Sequence, residues 1–220
     1  MKRLHAKFTA VLLGLVLALG ATSLAAAQAL SPMTVQEPQG RALVERLRHG
    51  GIVLFFRHAD TTGMPCDRTY RIGERAGQRN LSPEGREQSR RIGEVLRSLE
   101  IPVADPVLAG PVFRARDTAE LAFGSDRVAV TDSLLADDYA GRRLEWVLGG
   151  HRRLLTEPVP AGVNRVLVGH RTPAIMVLGS RVGGEALPEG AALVIEPGNE
   201  PRVLGILLLA PIPDRGFHGC

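Results

Sequence analysis

The chain has 220 residues, 45% of them hydrophobic, with 27 basic residues against 23 acidic and two cysteines. Length and apolar content suit a single domain with a real core. Both lysines and Arg3 lie in the first seven residues, so the rest carries 24 arginines against 23 acids, a formal +1. That excess is too small to drive nucleic-acid binding by counterion release, and no nucleic-acid partner is expected.

In chain order, Lys2, Arg3 and Lys7 form a positive start, residues 8–26 contain no charge, and Ala27-Gln28-Ala29 offers a small-x-small cleavage pattern. Residues 1–29 read as a secretory signal peptide. Residues 30–220 are then one domain in the periplasm or outside the cell, with no stable membrane insertion after cleavage. The alternative is an uncleaved anchor, because the apolar run is nearly long enough to span a bilayer. No cysteine lies near the junction, which gives no indication of lipid attachment. Cys66 and Cys220 are an even number in an exported chain; one disulfide and two free thiols both fit the count.

Residues 40–51 place Leu43, Val44 and Leu47 on one face and end in glycines, which predicts a short helix. The run Ile52 to Phe56 is apolar, β-branched and aromatic, the signature of a strand buried on both faces, and it stops abruptly at Arg57 and His58. Residues 63–80 are rich in glycine and arginine without a period and read as a long loop; Arg68, Arg71, Arg75 and Arg79 face an anionic partner or form a solvated flap. Ser82 is a helix N-cap followed by Pro83 and Glu84, with Ile92, Val95, Leu96 and Leu99 on the apolar face. A strand at 105–111 leads to a helix ending at Gly124, and a short strand at 127–130 leads to the loop SLLADDYAG. A helix over 144–155 precedes residues 164–170, a second apolar strand that ends in histidine. A helix with Pro173 in its first turn follows, and two strands joined by PGNEP close the domain. This alternation predicts an α/β layered domain.

Three strand ends therefore deliver Arg57 and His58, then Arg114, then His170, each near a helix start. Helix N-termini present free N–H groups and the positive end of a dipole. Two arginines and two histidines beside them suit a dianionic phosphate. The histidines His5, His49, His58, His151, His170 and His218 show no HxH or HExxH spacing, and there is no phosphate-binding glycine loop. No metal or other cofactor is expected.

FFRHADTT, NLSPEGREQSRRIG, VLAGPVFRARDTAELAFG and VLVGHRTP occur in that order, and together they resemble the histidine phosphatase superfamily, branch 1, over roughly residues 50–210. The resemblance implies a three-layer phosphoglycerate-mutase-like fold, a mostly parallel central sheet flanked by helices. It implies that His58 is the nucleophile that accepts a phosphoryl group, that Arg57, Arg114 and His170 hold phosphate oxygens, and that Thr61 adds a hydroxyl to the pocket. Such a scheme needs His58 neutral, attacking through one ring nitrogen while the other donates to a carbonyl. The general acid is expected in LLADDYAG: Asp137 first, Asp138 next, Glu145 a weaker candidate. Ala109-Gly110 departs from the family's pattern, which usually carries serines there. The resulting expectation is an exported, metal-independent phosphatase working on a phosphate monoester, its substrate a phosphorylated small molecule or glycan such as a cell-envelope sugar phosphate. The alternative is an inactive phosphate- or phosphoglycan-binding envelope protein.

Overall fold

The computed structural model describes residues 29–183 and 187–213. The expected signal peptide falls almost wholly outside the described residues, as do Cys220 and His218. Strands β1 (Pro32–Thr34), β2 (Val53–Arg57), β5 (Val107–Ala109), β6 (Val128–Val130), β7 (Arg165–Gly169), β8 (Ala192–Glu196) and β9 (Arg202–Leu208) form one sheet in the order β1-β9-β8-β2-β7-β5-β6. Pairing is parallel from β2 through β7 and β5 to β6 and between β1 and β9; β8 runs antiparallel to both β2 and β9.

The alternation of β2 explains its unbroken apolar run. Leu54 and Phe56 point into one core with Leu43 and Leu47 of α1 (Pro38–Arg48), Ile92 and Leu96 of α2 (Pro83–Ser98), and Ala115, Ala119 and Phe123 of α3 (Phe113–Phe123). Val53 and Phe55 point into the opposite core with Leu155 of α5 (Leu144–Thr156) and Ala174 of α6 (Arg171–Leu178). A strand buried on both faces needs no polar alternation. The result is three layers, helices on each face of a mostly parallel sheet, as the resemblance implied.

Three features depart from the sequence reading. The chain leaving β2 does not enter a helix: it forms β3 (Thr61–Thr62), which pairs with β4 (Asn80–Leu81) as a separate two-stranded sheet, and the Gly- and Arg-rich loop hangs between them. The loop SLLADDYAG contains a single helical turn, α4 (Asp137–Ala140). Strand β1 has no counterpart among the predicted elements; three half-buried residues are too few for a period to show.

The predicted cap of α2 is present: the Ser82 hydroxyl accepts from the Gly85 amide at 2.8 Å. Gly85 has a further role, because a Cβ there would lie 2.0 Å from the carbonyl oxygen of Asp60. α2 can approach the loop after His58 only without that atom. From the next turn, Gln88 accepts from the Asp60 amide at 2.9 Å and donates to the Ala210 carbonyl at 3.0 Å. The Gly and Gln of the SPEGREQ segment thus lock α2 against the chain that carries His58.

Candidate active site

In open α/β sheets ligands bind beyond the carboxyl ends of parallel strands. The ends of β2, β7 and β5 converge on a cavity of about 40 Å³ lined by Arg57, His58, Arg79, Arg114, Ala136, Asp137, Asp138, His170, Arg171 and Thr172. At about 10–15 Å³ per water-sized atom, this has room for about three oxygens. Of the residues singled out in the sequence, Arg57, His58, Arg114, His170 and Asp137 meet here, with Asp138 beside them.

The main chain of His58 is held from two sides: its amide donates to Gly169 of β7 at 3.0 Å, and its carbonyl accepts from Gly190 at 2.9 Å. Its ring Nδ1 lies 2.9 Å from the Ala59 carbonyl. A carbonyl only accepts, so Nδ1 carries the proton and Nε2 keeps its lone pair. Burial, then Arg114, Arg57 and His170, hold the His58 pKa well below 6.5, so the ring is neutral at neutral pH. This is the tautomer a nucleophilic imidazole requires. Its ring centroid is 5.4 Å from that of His170, whose pKa is likewise held well below 6.5 by burial and by Arg114.

Three lining residues carry buried polar atoms with no hydrogen-bond partner among the described residues: Nε of Arg79, Nε of Arg114 and Nε2 of His170. Unsatisfied buried groups are costly, and their concentration in one cavity suits an anionic ligand that accepts from them. Burial lowers the Arg57 pKa to about 10, a fall opposed by Glu189, and the guanidinium remains charged at neutral pH.

Asp137 is half-buried at the first residue of α4, while Asp138 is exposed. Burial, then the neighbouring Asp138 charge, raise the Asp137 pKa above 3.8. Of the two acids, Asp137 is the better placed to hold a proton at the pocket. Glu145 is exposed in the first turn of α5 and does not line the cavity, which removes it as a candidate. Thr61 also departs from expectation. Its hydroxyl donates to Glu189 at 2.8 Å, and it does not line the pocket, because β3 turns it toward that buried carboxylate.

The predicted loop arginines separate. Arg75 forms a bidentate pair with Asp117 at 2.5 and 2.8 Å and covers the Phe113 ring, Arg68 donates to the Ala76 carbonyl at 2.7 Å, and Arg71 lies 3.6 Å from Glu74. Arg79, buried where the loop rejoins β4, lines the phosphate-sized cavity. Sequence reasoning named Arg79 only as one of four loop arginines and did not single out Arg171, Asp67 or Glu189. Asp67 accepts from Arg114 at 2.8 Å and from the Arg79 amide at 2.6 Å, and the Tyr139 hydroxyl of α4 also donates to it. Burial alone would raise the Asp67 pKa, but the bonds from Tyr139 and Arg114 outweigh it and lower it. One carboxylate so links two arginines of the pocket to the turn bearing Asp137. Gly110, where the family usually has serine, is explained by packing: a Cβ there would be 2.2 Å from the Leu134 carbonyl oxygen.

Residues 53–141 match the family model described as the histidine phosphatase superfamily, branch 1. The matched stretch, which holds Arg57, His58 and Arg114, is similar to this superfamily. That likeness supports a phosphatase acting on a phosphorylated substrate. No curated protein matches the chain. Among solved structures it is similar to the protein histidine phosphatase SixA complexed with tungstate, at 18% identity over 72% of this chain and 97% of that one, TM-score 0.48. It is also similar to a putative phosphohistidine phosphatase SixA from Agrobacterium tumefaciens (18% identity, 71% and 97% covered, TM-score 0.46). A third likeness is a mycobacterial glucosyl-3-phosphoglycerate phosphatase (18%, 70% and 96%, TM-score 0.47). Among the described residues no helix is long and apolar enough to cross a membrane, and no group of three or more His, Cys, Asp or Glu could hold a metal ion.

Proposed function

We propose that the chain is an exported phosphatase that hydrolyses a phosphate monoester through a phosphohistidine on His58, with guanidinium groups rather than a metal ion neutralising the phosphoryl charge. The observation that carries this reading is the His58 ring, whose Nδ1–H bond to Ala59 leaves Nε2 as the nucleophilic atom beside Arg57, Arg79, Arg114 and His170. The phosphoryl group binds with its oxygens on these donors. Nε2 attacks phosphorus in line, and the charge that shifts during transfer is met by donors already in place. Asp137, its carboxyl kept protonated to higher pH by burial and Asp138, delivers a proton to the departing oxygen and then accepts one from the attacking water.

Export is supported by the charged start and apolar run of residues 1–26 and by the disulfide-bonded state of Cys66, since disulfides persist in oxidising compartments. A polar cavity sized for the phosphoryl group leaves room outside it for a bulky leaving group, and a sugar phosphate is compatible with that.

The test is phosphate release by the purified protein from a panel of phosphomonoesters with chelator present, beside His58→Ala. Turnover that survives chelation and is lost in the variant is expected. If neither protein turns over while wild type is stabilised by vanadate, the chain is a phosphate-binding protein and the hydrolytic reading falls.

A further inference from the structure

Glu189 is a buried carboxylate within reach of the His58 ring and of two pocket arginines. It sits just before β8, and because β8 runs antiparallel to β2, the start of β8 lies beside the end of β2, where Phe56 faces Ala192. Its side chain is 4% exposed. Thr61 donates to it from both amide (3.1 Å) and hydroxyl (2.8 Å), and the NH2 groups of Arg57 and Arg79 each lie 3.4 Å from Oε1. The same Oε1 is 3.9 Å from Nδ1 of His58. That is too long for a hydrogen bond and short enough for strong attraction to a charge on the ring. The backbone is fixed as well: Gly190 bonds the His58 carbonyl and has φ +79°, and a Cβ there would be 2.4 Å from the Gln88 side chain.

We propose that Glu189 is a positioning residue whose carboxylate stabilises the cation formed on the His58 ring during phosphoryl transfer while fixing Arg57 and Arg79 around the phosphoryl site. The inference rests on the phosphohistidine reading above. When neutral His58 attacks, the Nε2–P bond forms as the ester P–O bond breaks, and the leaving oxygen takes its proton from Asp137. Nδ1 keeps its proton, so the ring becomes a cation. In the second step water forms a P–O bond as Nε2–P breaks, Asp137 recovers a proton from the water, and the ring returns to neutral. Negative charge 3.9 Å from Nδ1 therefore lowers the energy of the intermediate relative to both neutral-ring states. It speeds formation of the phosphohistidine and slows its breakdown.

This opposition of signs distinguishes the proposal from a merely structural role. Loosened arginines would slow both steps, because both transfers place charge on the same oxygens. In Glu189→Gln, phosphohistidine formation from p-nitrophenyl phosphate, followed by rapid mixing, is expected to slow by roughly tenfold to a hundredfold, less than the roughly hundredfold to thousandfold cost of losing a donor in direct contact with the reacting oxygens, because the carboxylate acts from 3.9 Å. Breakdown, followed by alkaline trapping of radiolabelled phosphohistidine and its decay, is expected to quicken. Glu189→Asp, which keeps the charge on a shorter stem, is expected to shift both rates less, in the same directions, and it carries the test if the Gln variant fails to fold by thermal melting. Equal slowing of the two steps, or no change in either, would overturn the proposal. A wild-type protein that never labels His58 would instead overturn the proposed function itself.

Discussion

His151 lies in α5, fully buried against the Phe55 ring at a centroid distance of 6.4 Å, with Nδ1 facing the Val147 carbonyl at 3.2 Å and Nε2 lacking a partner among the described residues. Burial lowers its pKa from 6.5 to about 4. The folded state thus binds this proton less readily than the unfolded state, and His151 contributes its full stability above pH 6.5. That contribution is lost as pH falls from 6.5 toward about 4 and changes no further below. With tenfold in proton affinity worth about 1.4 kcal/mol, the gap amounts to about 3 kcal/mol, a large part of a typical folding free energy of about 5–15 kcal/mol. His151→Leu removes both the titration and the unpartnered nitrogen. Urea unfolding of the two proteins at a series of pH values, read by circular dichroism and by the Trp146 fluorescence, measures the difference. His58 and His170 have depressed pKa values in both proteins, so their shared pH dependence largely cancels. The stability of the variant relative to wild type is expected to improve by about 3 kcal/mol between pH 7.5 and 4. Parallel curves would refute the reasoning.

Asp137→Asn removes the proposed proton donor, so hydrolysis of alkyl phosphates is expected to fall by about a hundredfold while nitrophenyl phosphate, whose leaving group needs no proton, changes little; an equal loss across a leaving-group series would count against the role. In wild type, kcat/KM is expected to decline as pH rises through the raised Asp137 pKa and, on the acid side, as the depressed His58 pKa is crossed from above. Asp67→Asn deprives Arg114 of its ionic partner. Vanadate affinity, measured by thermal shift, is expected to weaken by roughly tenfold, the scale of one charge-assisted bond, and an unchanged affinity would dismiss Asp67 as an organiser of the pocket. Gly85→Ala would improve helix propensity by about 1 kcal/mol, yet the approach to Asp60 should make the protein net less stable by roughly 1–3 kcal/mol in urea unfolding.

Much of the site was legible in the residues because parallel strands put chemistry in a readable place. An apolar run that stops at a charged residue marks a strand's carboxyl end, and that rule found Arg57, His58 and His170 from local pattern alone. The α2 cap was equally local, a Ser-Pro-Glu start acting within one helical turn. Arg79, Asp67 and Glu189 gave no such signal, since each enters from a segment whose path depends on distant contacts. Arg79 and Asp67 lie in a long loop without a period, where Arg75, Arg68 and Arg71 have the same composition but other partners. Glu189 precedes a strand instead of following one, and it reaches His58 only because β8 pairs antiparallel with β2. Thr61 misled for the converse reason: its spacing from His58 is right, but the β3–β4 pairing rotates its hydroxyl onto Glu189. The sequence by itself determined the layers and the residues that stand at the strand ends, Arg57, His58 and His170, because hydrophobic period and strand ends are local properties. Only the tertiary structure decided which carboxylates orient them, because a buried acid is tolerated only where the fold brings it opposing charge and hydrogen bonds.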